Sequence, residues 1–185
     1  MDIEEQLEEV KRQMRELMQG KASLAEAMGL ELEDVLALAT VARQLAEQGQ
    51  YEAAQSMLEG LVVLDPQNPF LHSCLGCVYM QMKQNVSAYQ AFNIALHFNE
   101  KDIAAHAYAG ELALEQGLVE EAAHHLRRAA ELDPDGKNPH ANRARVTALL
   151  LSTLAREVQE KGTDALKRIL EEARQAQNAE TKPQP

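Results

Sequence analysis

The side chains with the most chemical capacity in this 185-residue chain are two cysteines and six histidines. Cys74 and Cys77 stand three residues apart, the spacing of a redox pair or of half a zinc site. A structural zinc needs four ligands, and no second pair exists to supply the other two. Both cysteines fall within an apolar helical stretch, where they read as small apolar side chains, with a redox or metal role as the alternative. His72 and His106 are 34 residues apart in equivalent slots, so their likeness is architectural. His124 and His125 are neighbours and cannot face the same way on a helix, which argues against a shared metal. The other two histidines are His97 and His140. The sequence has no HExxH, no glycine-rich phosphate loop and no serine at a strand-to-helix elbow. Glu120 and Glu121 fall on an outward helix face. This set predicts a protein that is not an enzyme and that needs no cofactor and no metal.

What positions these residues is a pattern written three times at a spacing of 34 between Val35 and Gly136. Ala54, Ala88 and Ala122 share one slot. Leu58, Phe92 and Leu126 share the next, four residues on, and Leu61, Ala95 and Ala129 follow three later. A small residue followed by large apolar ones at these offsets is the face of a helix closely packed on another. The turn slots hold Gly49, Lys83 and Gly117, and the unit ends hold Asp65-Pro66, Asn99-Glu100 and Asp133-Pro134. Two helices in 34 residues mark a tetratricopeptide array. In the first unit Leu38, Val41, Ala42 and Leu45 form the expected inner face, with Tyr51 to Leu64 as the second helix. Gly76 and Gly110 occupy one slot, where two helices can touch at backbone distance. Where Asn99-Glu100 replaces Asp-Pro, the helix is expected to run on or turn differently.

The ends follow the same logic. Ile3, Leu7, Val10, Met14 and Leu17 make a seam at spacings of 4, 3, 4 and 3, and it needs another helix. The readings are self-association through this seam or folding back on the array. After Gly136 a long helix from His140 to Glu160 is expected to cover the last repeat with Val146, Leu149, Leu150, Thr153, Leu154 and Val158. The chain thus divides into N-terminal helices (1–30), repeats at 35–68, 69–102 and 103–136, C-terminal capping helices (139–176) and a disordered tail (177–185). The fold class is all-α, a helix-turn-helix solenoid.

Net charge is −11, and residues 1–141 hold 23 acidic against 10 basic side chains. Such a body repels nucleic acid and anionic membrane, and either favours a basic partner or simply keeps the chain in solution. No stretch is long and apolar enough to span a bilayer. The acidic start Met1-Asp2-Ile3-Glu4-Glu5 is not a signal peptide, and the expected location is the cytoplasm.

In a solenoid of this kind the first helices line a concave trough that takes a peptide. Counted from Val35, Pro69 and Ile103, the trough slots are Ala39, Arg43 and Ala46; Phe70, Ser73, Cys77 and Met80; and Ala104, Ala107, Tyr108, Glu111 and Leu114. The lining is mostly small, apolar or aromatic, with Arg43 and Glu111 as orienting charges. The paired Lys and Asn that clamp a C-terminal carboxylate in some such domains are absent: Ala39, Arg43, Ser73 and Cys77 stand there.

The segments Gly49-Gln50-Tyr51-Glu52-Ala53-Ala54, Leu61-Val62-Val63-Leu64-Asp65-Pro66 and Gln67-Asn68-Pro69-Phe70, with Leu75-Gly76-Cys77-Val78-Tyr79-Met80-Gln81-Met82 and Ser87-Ala88-Tyr89-Gln90-Ala91-Phe92, resemble the class II chaperones of bacterial type III secretion. The likeness covers about residues 18 to 135. It implies a helical cradle that holds a segment of a hydrophobic secreted translocator before export, chiefly through Phe70, Cys77, Met80 and Tyr108. It also implies a homodimer formed through the N-terminal region. A general tetratricopeptide scaffold without a secreted client is the alternative.

Overall fold

The computed structural model describes residues 3–161, and among these every regular element is an α-helix. They are α1 (Ile3–Met18), α2 (Leu24–Ala27), α3 (Leu32–Glu47), α4 (Tyr51–Leu64), α5 (Pro69–Gln81), α6 (Asn85–Phe98), α7 (Ile103–Glu115), α8 (Val119–Glu131) and α9 (Pro139–Lys161). From α3 onward each helix packs on the next as far as α8, and α9 lies against α8 and α7. This is a tetratricopeptide-like solenoid. The expected helix over 164–176 and the tail at 177–185 lie outside the described residues.

The repeated slots explain why the pairs close. Ala54, Ala88 and Ala122 are wholly buried, as are Leu58 and Leu126, with Phe92 nearly so. A Cβ built on Gly76 would stand 2.9 Å from the Phe92 ring, and one on Gly110 would stand 2.7 Å from Leu126 Cγ. Each glycine lets its helix sit directly on the large side chain of its partner helix. The turns between paired helices need a left-handed residue, and φ is +80° at Gly49, +60° at Lys83 and +76° at Gly117.

The joins between units carry their own hydrogen bonds. Asn68 accepts from the Phe70 amide at 3.1 Å and donates to Asp65 at 2.9 Å. Pro69 fills the first helical position, where no N–H is needed. Asp102 caps α7 through the Ala105 amide at 3.0 Å. His72 Nε2 donates to the Pro66 carbonyl at 2.8 Å and His106 Nε2 to the Glu100 carbonyl at 3.2 Å, so both rings brace the same kind of join.

Three expectations are corrected. The Asn99-Glu100 join does not run on: Asn99 adopts φ −140°, ψ 86°, beside φ −136°, ψ 78° at Asp65. Both amides donate to the carbonyl four residues back at 2.8 Å, and Asn99 Oδ1 accepts from the Lys101 amide, a closure that replaces proline. In α3 the buried face is Val35, Ala39 and Ala42, while Leu38 and Val41 are exposed. In α9 the inward line is Ala141, Ala144, Ala148 and Leu151, against Ala107, Leu126 and Ala129. Val146, Leu149 and Leu150 face outward instead. In α3 and α9 alike, alanines take the inner line because they allow the closest helix approach, which pushes the larger residues to the outer side.

At the N-terminus, Ser23 and Glu26 form a capping box that starts α2. α1 packs against α2, while Leu7, Val10 and Met14 are each more than half exposed and Leu17 is half-buried. The seam is therefore open in the single chain, and folding back on the array is not what the structure shows.

Candidate functional site

The first two units leave a cleft of about 570 Å³ between α3, α4, α5 and the start of α7. Arg43 comes from α3, Phe70, Ser73 and Cys77 come from successive turns of α5, and Ala104 comes from α7. The spacing of three and four residues sets Phe70, Ser73 and Cys77 along one side of α5. Tyr51 and Leu58 of α4 close the back.

The polar groups are few and placed. Arg43 Nη1 stands 3.8 Å from Glu47 at the rim, both exposed. Ser73 Oγ donates to Asp102 Oδ2 at 3.0 Å, while the other Asp102 oxygen caps α7. Asp102 is thus a fixed acceptor that ties α5 to α7 across the cleft wall. Burial pushes the Cys74 thiol up to about 12, and the neighbouring Cys77 adds to the effect. Cys77 opens onto the cleft, yet desolvation by its walls, helped by Asp102, holds it up at about 11. Both remain thiols at neutral pH, so they line the cleft as soft apolar groups and not as nucleophiles.

The nine trough residues expected from the sequence part ways here. Arg43, Phe70, Ser73 and Cys77 share the cleft. Ala39 and Ala107 have no exposed surface and cannot touch a ligand, because adjacent first helices meet at these alanines. Met80 is half-buried against the cluster of Ala88 and Phe92. Tyr108 stacks on Phe92 at 5.3 Å, meets His140 edge-on at 5.2 Å and lies under the Arg143 guanidinium at 5.3 Å. Arg143 also pairs with Glu111 at 2.5 Å. The third unit's share of the trough is therefore occupied by the first turns of α9. Counting along first helices missed Tyr51 and Asp102, which belong to a second helix and to a join. The signal for Asp102 was its N-cap position, one residue before Ile103.

A second feature was also missed. His106 and His125 face each other with Nδ1 to Nδ1 at 3.0 Å. The Glu100 carbonyl can only accept, so His106 Nε2 carries the hydrogen, its Nδ1 accepts, and His125 donates. A cleft of about 400 Å³ beside them is lined by His97, Glu100, His124 and Arg128. Among the described residues no group of three or more His, Cys, Asp or Glu is arranged to hold a metal ion.

No protein-family model matches the sequence, and no curated protein does. Similarity to solved structures is clear. The type III secretion translocator chaperone SycD of Yersinia enterocolitica superposes with a TM-score of 0.62 at 23% identity, over 70% of this chain and 98% of that one. PcrH in complex with the chaperone-binding region of PopD gives 0.61 at 18% identity, over 69% and 97%. The first tetratricopeptide domain of Spaghetti (RPAP3), bound to the HSP90 peptide SRMEEVD, gives 0.59 at 23%, over 68% and 95%. At these identities the likeness establishes the fold.

Proposed function

We propose that this chain is a cytoplasmic, non-catalytic chaperone that holds a segment of a hydrophobic type III secretion translocator in its concave cleft until export. The observation that carries the reading is the cleft itself. It is roomy, mostly apolar, open to solvent and walled by Arg43, Phe70, Ser73 and Cys77. Such a surface suits an extended segment that drops apolar side chains into it, with Arg43 and the Asp102–Ser73 pair orienting its backbone. Covering part of a membrane-active client removes exposed apolar surface that would otherwise aggregate or insert early. The client must leave again, which suits an affinity of roughly micromolar to tens of nanomolar, about −8 to −10 kcal/mol. The solved complex of PcrH with a translocator segment supports this reading, as does the resemblance of the sequence over about 18 to 135. The chain acts as a homodimer through the α1 seam of Ile3, Leu7, Val10, Met14 and Leu17, of which Leu7, Val10 and Met14 are open in the single chain.

A scaffold without a secreted client has one observation in its favour, the comparable fit to a domain bound to an HSP90 peptide. Against it, the four slots where such domains clamp a terminal carboxylate hold a buried Ala39, Ser73 tied to Asp102, Cys77, and a single cation, Arg43, which stands beside Glu47. The deciding experiment is purification of the tagged chain from its own cells, with mass spectrometry of what accompanies it. One abundant partner carrying long apolar segments is the expected result. A mixed set of soluble proteins without such a partner would overturn the chaperone reading in favour of the scaffold.

A further inference from the structure

Three charged side chains line the open cleft: Arg43, Glu47 and Asp102. Arg43 and Glu47 stand 3.8 Å apart at the rim and offset one another. Asp102 has no such partner among the lining residues. Its side-chain hydrogen bonds come from neutral groups, the Ser73 hydroxyl and the Ala105 amide, each at 3.0 Å. A carboxylate has about four acceptor positions, so both oxygens keep capacity for a further donor. Asp102 is half-buried beside apolar walls, where its charge is screened less than on an open surface. Its field is felt at Cys77, whose thiol it helps to hold up after the larger effect of burial.

The filled part of the trough shows what such a surface accepts. In the third unit the Arg143 guanidinium lies over the Tyr108 ring at 5.3 Å and pairs with Glu111 at 2.5 Å. A cation is thus seated there on a carboxylate and an aromatic ring. The open part offers the same two groups, with Phe70 as the ring and Asp102 as the carboxylate. The surroundings favour the same sign, since residues 1–141 hold 23 acidic against 10 basic side chains.

We propose that the cleft reads a basic side chain, a lysine or arginine of the client segment, whose charge pairs with Asp102. Its aliphatic stem and the apolar residues beside it lie on the wall of Phe70 and Ala104. This rests on the chaperone reading and names the chemistry of the segment that the cleft takes. Apolar contact alone would admit any hydrophobic stretch. A half-buried carboxylate disfavours a stretch that desolvates it and leaves it unpaired, which gives selection among the apolar segments of one client. A long basic side chain suits the place because its stem is apolar and only its end is charged.

The test uses the full-length chain and a phage library of random dodecapeptides, panned on the parent and on Asp102→Asn. Asparagine keeps an acceptor for the start of α7 while the charge is lost. Peptides recovered on the parent are expected to carry lysine or arginine at a fixed spacing from apolar residues, enriched several-fold over the library. On Asp102→Asn this enrichment should disappear. One recovered peptide is then labelled and titrated by fluorescence anisotropy. Replacing its basic residue with glutamine should raise Kd about fivefold on the parent, the size of one partly exposed ion pair, and leave Kd unchanged on Asp102→Asn. The change on the peptide needs no altered protein, so it decides even where Asp102→Asn is unstable. Apolar peptides without basic enrichment, an unchanged Kd on the parent, or losses that add across the two changes overturn the proposal and leave the chaperone reading standing. Peptides that bind Cys77→Arg as they bind the parent lie outside the cleft, and overturn the cleft reading together with this one.

Discussion

Among the described residues, Lys83 is the one non-glycine with a positive φ. It holds φ at +60°, in the left-handed region, where the equivalent turns use Gly49 and Gly117. A side chain there crowds the following carbonyl, which costs about 1–2 kcal/mol, part of which glycine returns through its greater freedom in the unfolded chain. Lys83→Gly is expected to raise stability by about 0.5–1 kcal/mol, read as a higher urea midpoint at unchanged slope; a lower midpoint would show that the Lys side chain has a compensating role. A second residue-scale effect belongs to His125. Burial, then His106 and His124, hold its pKa down at about 4, and burial lowers His106 as well. Both rings are folded as neutral bases, whereas the unfolded chain takes up protons near the ordinary value of 6.5. The unfolded state then binds more protons, so stability is complete above about 6.5 and falls as the pH drops towards 4. With allowance for partial solvent access, the loss should be about 1–2 kcal/mol by pH 4.5. His125→Gln should flatten the pH dependence of thermal unfolding across that window, and an identical curve would remove the pair as its cause. The two repeated glycines could be read from spacing alone, since each meets the large side chain 16 residues on in the same unit, Phe92 for Gly76 and Leu126 for Gly110. The His106–His125 contact spans 19 residues between two helices, and its rotamers are set by the Glu100 carbonyl, which no periodicity encodes.

Among the elements, α9 departs furthest from what its sequence suggests. Its larger apolar residues and its alanines fall on different sides, and it is the alanines that dock. Size therefore misled in α9, where close approach runs along Ala141, Ala144 and Ala148 with Leu151; α5, by contrast, buries Leu71, Leu75 and Val78. α3 follows α9, with Ala39 and Ala42 buried while Leu38 and Val41 look outward. What fastens α9 is a polar latch. Arg145 Nη2 donates to the Ala130 and Asp133 carbonyls at 3.1 and 2.6 Å, its other nitrogen binds Asn142, and Asn142 donates to the Gly136 carbonyl at 2.7 Å. The guanidinium thus satisfies carbonyls left open where α8 ends, and it brings the α8–α9 join onto α9 itself. Arg145→Ala is expected to cost about 1.5–3 kcal/mol locally, as hydrogen bonds from a charged group to part-buried carbonyls do. The measurement is amide hydrogen exchange, with faster exchange in the first turns of α9 and none of the change in α4. Asn142→Ala should give a smaller acceleration of the same amides; equal exchange in parent and Arg145→Ala would place the docking energy in the alanine line alone.

At the scale of the whole molecule, the last first-helix position is filled by α9, and this decides where a client can sit. Tyr108 and Glu111 are held by His140 and Arg143, and Ala107 is sealed beneath α9, so the open trough is the part between the first two units. The order of the repeats could be read from the sequence, and so could the presence of a trough, because both follow from a 34-residue period. Its working length could not, since that depends on how far α9 follows the path of a fourth unit. A binding test should therefore avoid Tyr108, whose replacement would free α9 before it affected a ligand. Phe70 and Cys77 are the better positions, both exposed on one side of α5 and remote from α9. Phe70→Glu removes an apolar wall and adds a carboxylate to a cleft that already holds Asp102, and Cys77→Arg puts a charged side chain into the same cleft. In each case an apolar segment would have to desolvate a charge to enter. Each change should weaken binding of the co-purified client at least tenfold, about 1.4 kcal/mol or more, with the helical spectrum and melting temperature close to the parent's. Tyr108→Glu should show the reverse order, with lower stability first and weaker binding only in proportion to the unfolded fraction. If the two α5 variants bind as the parent does while Tyr108→Glu, still folded, does not, then the client displaces the first turns of α9 and reads the third unit, and the cleft between α3 and α5 is not the site.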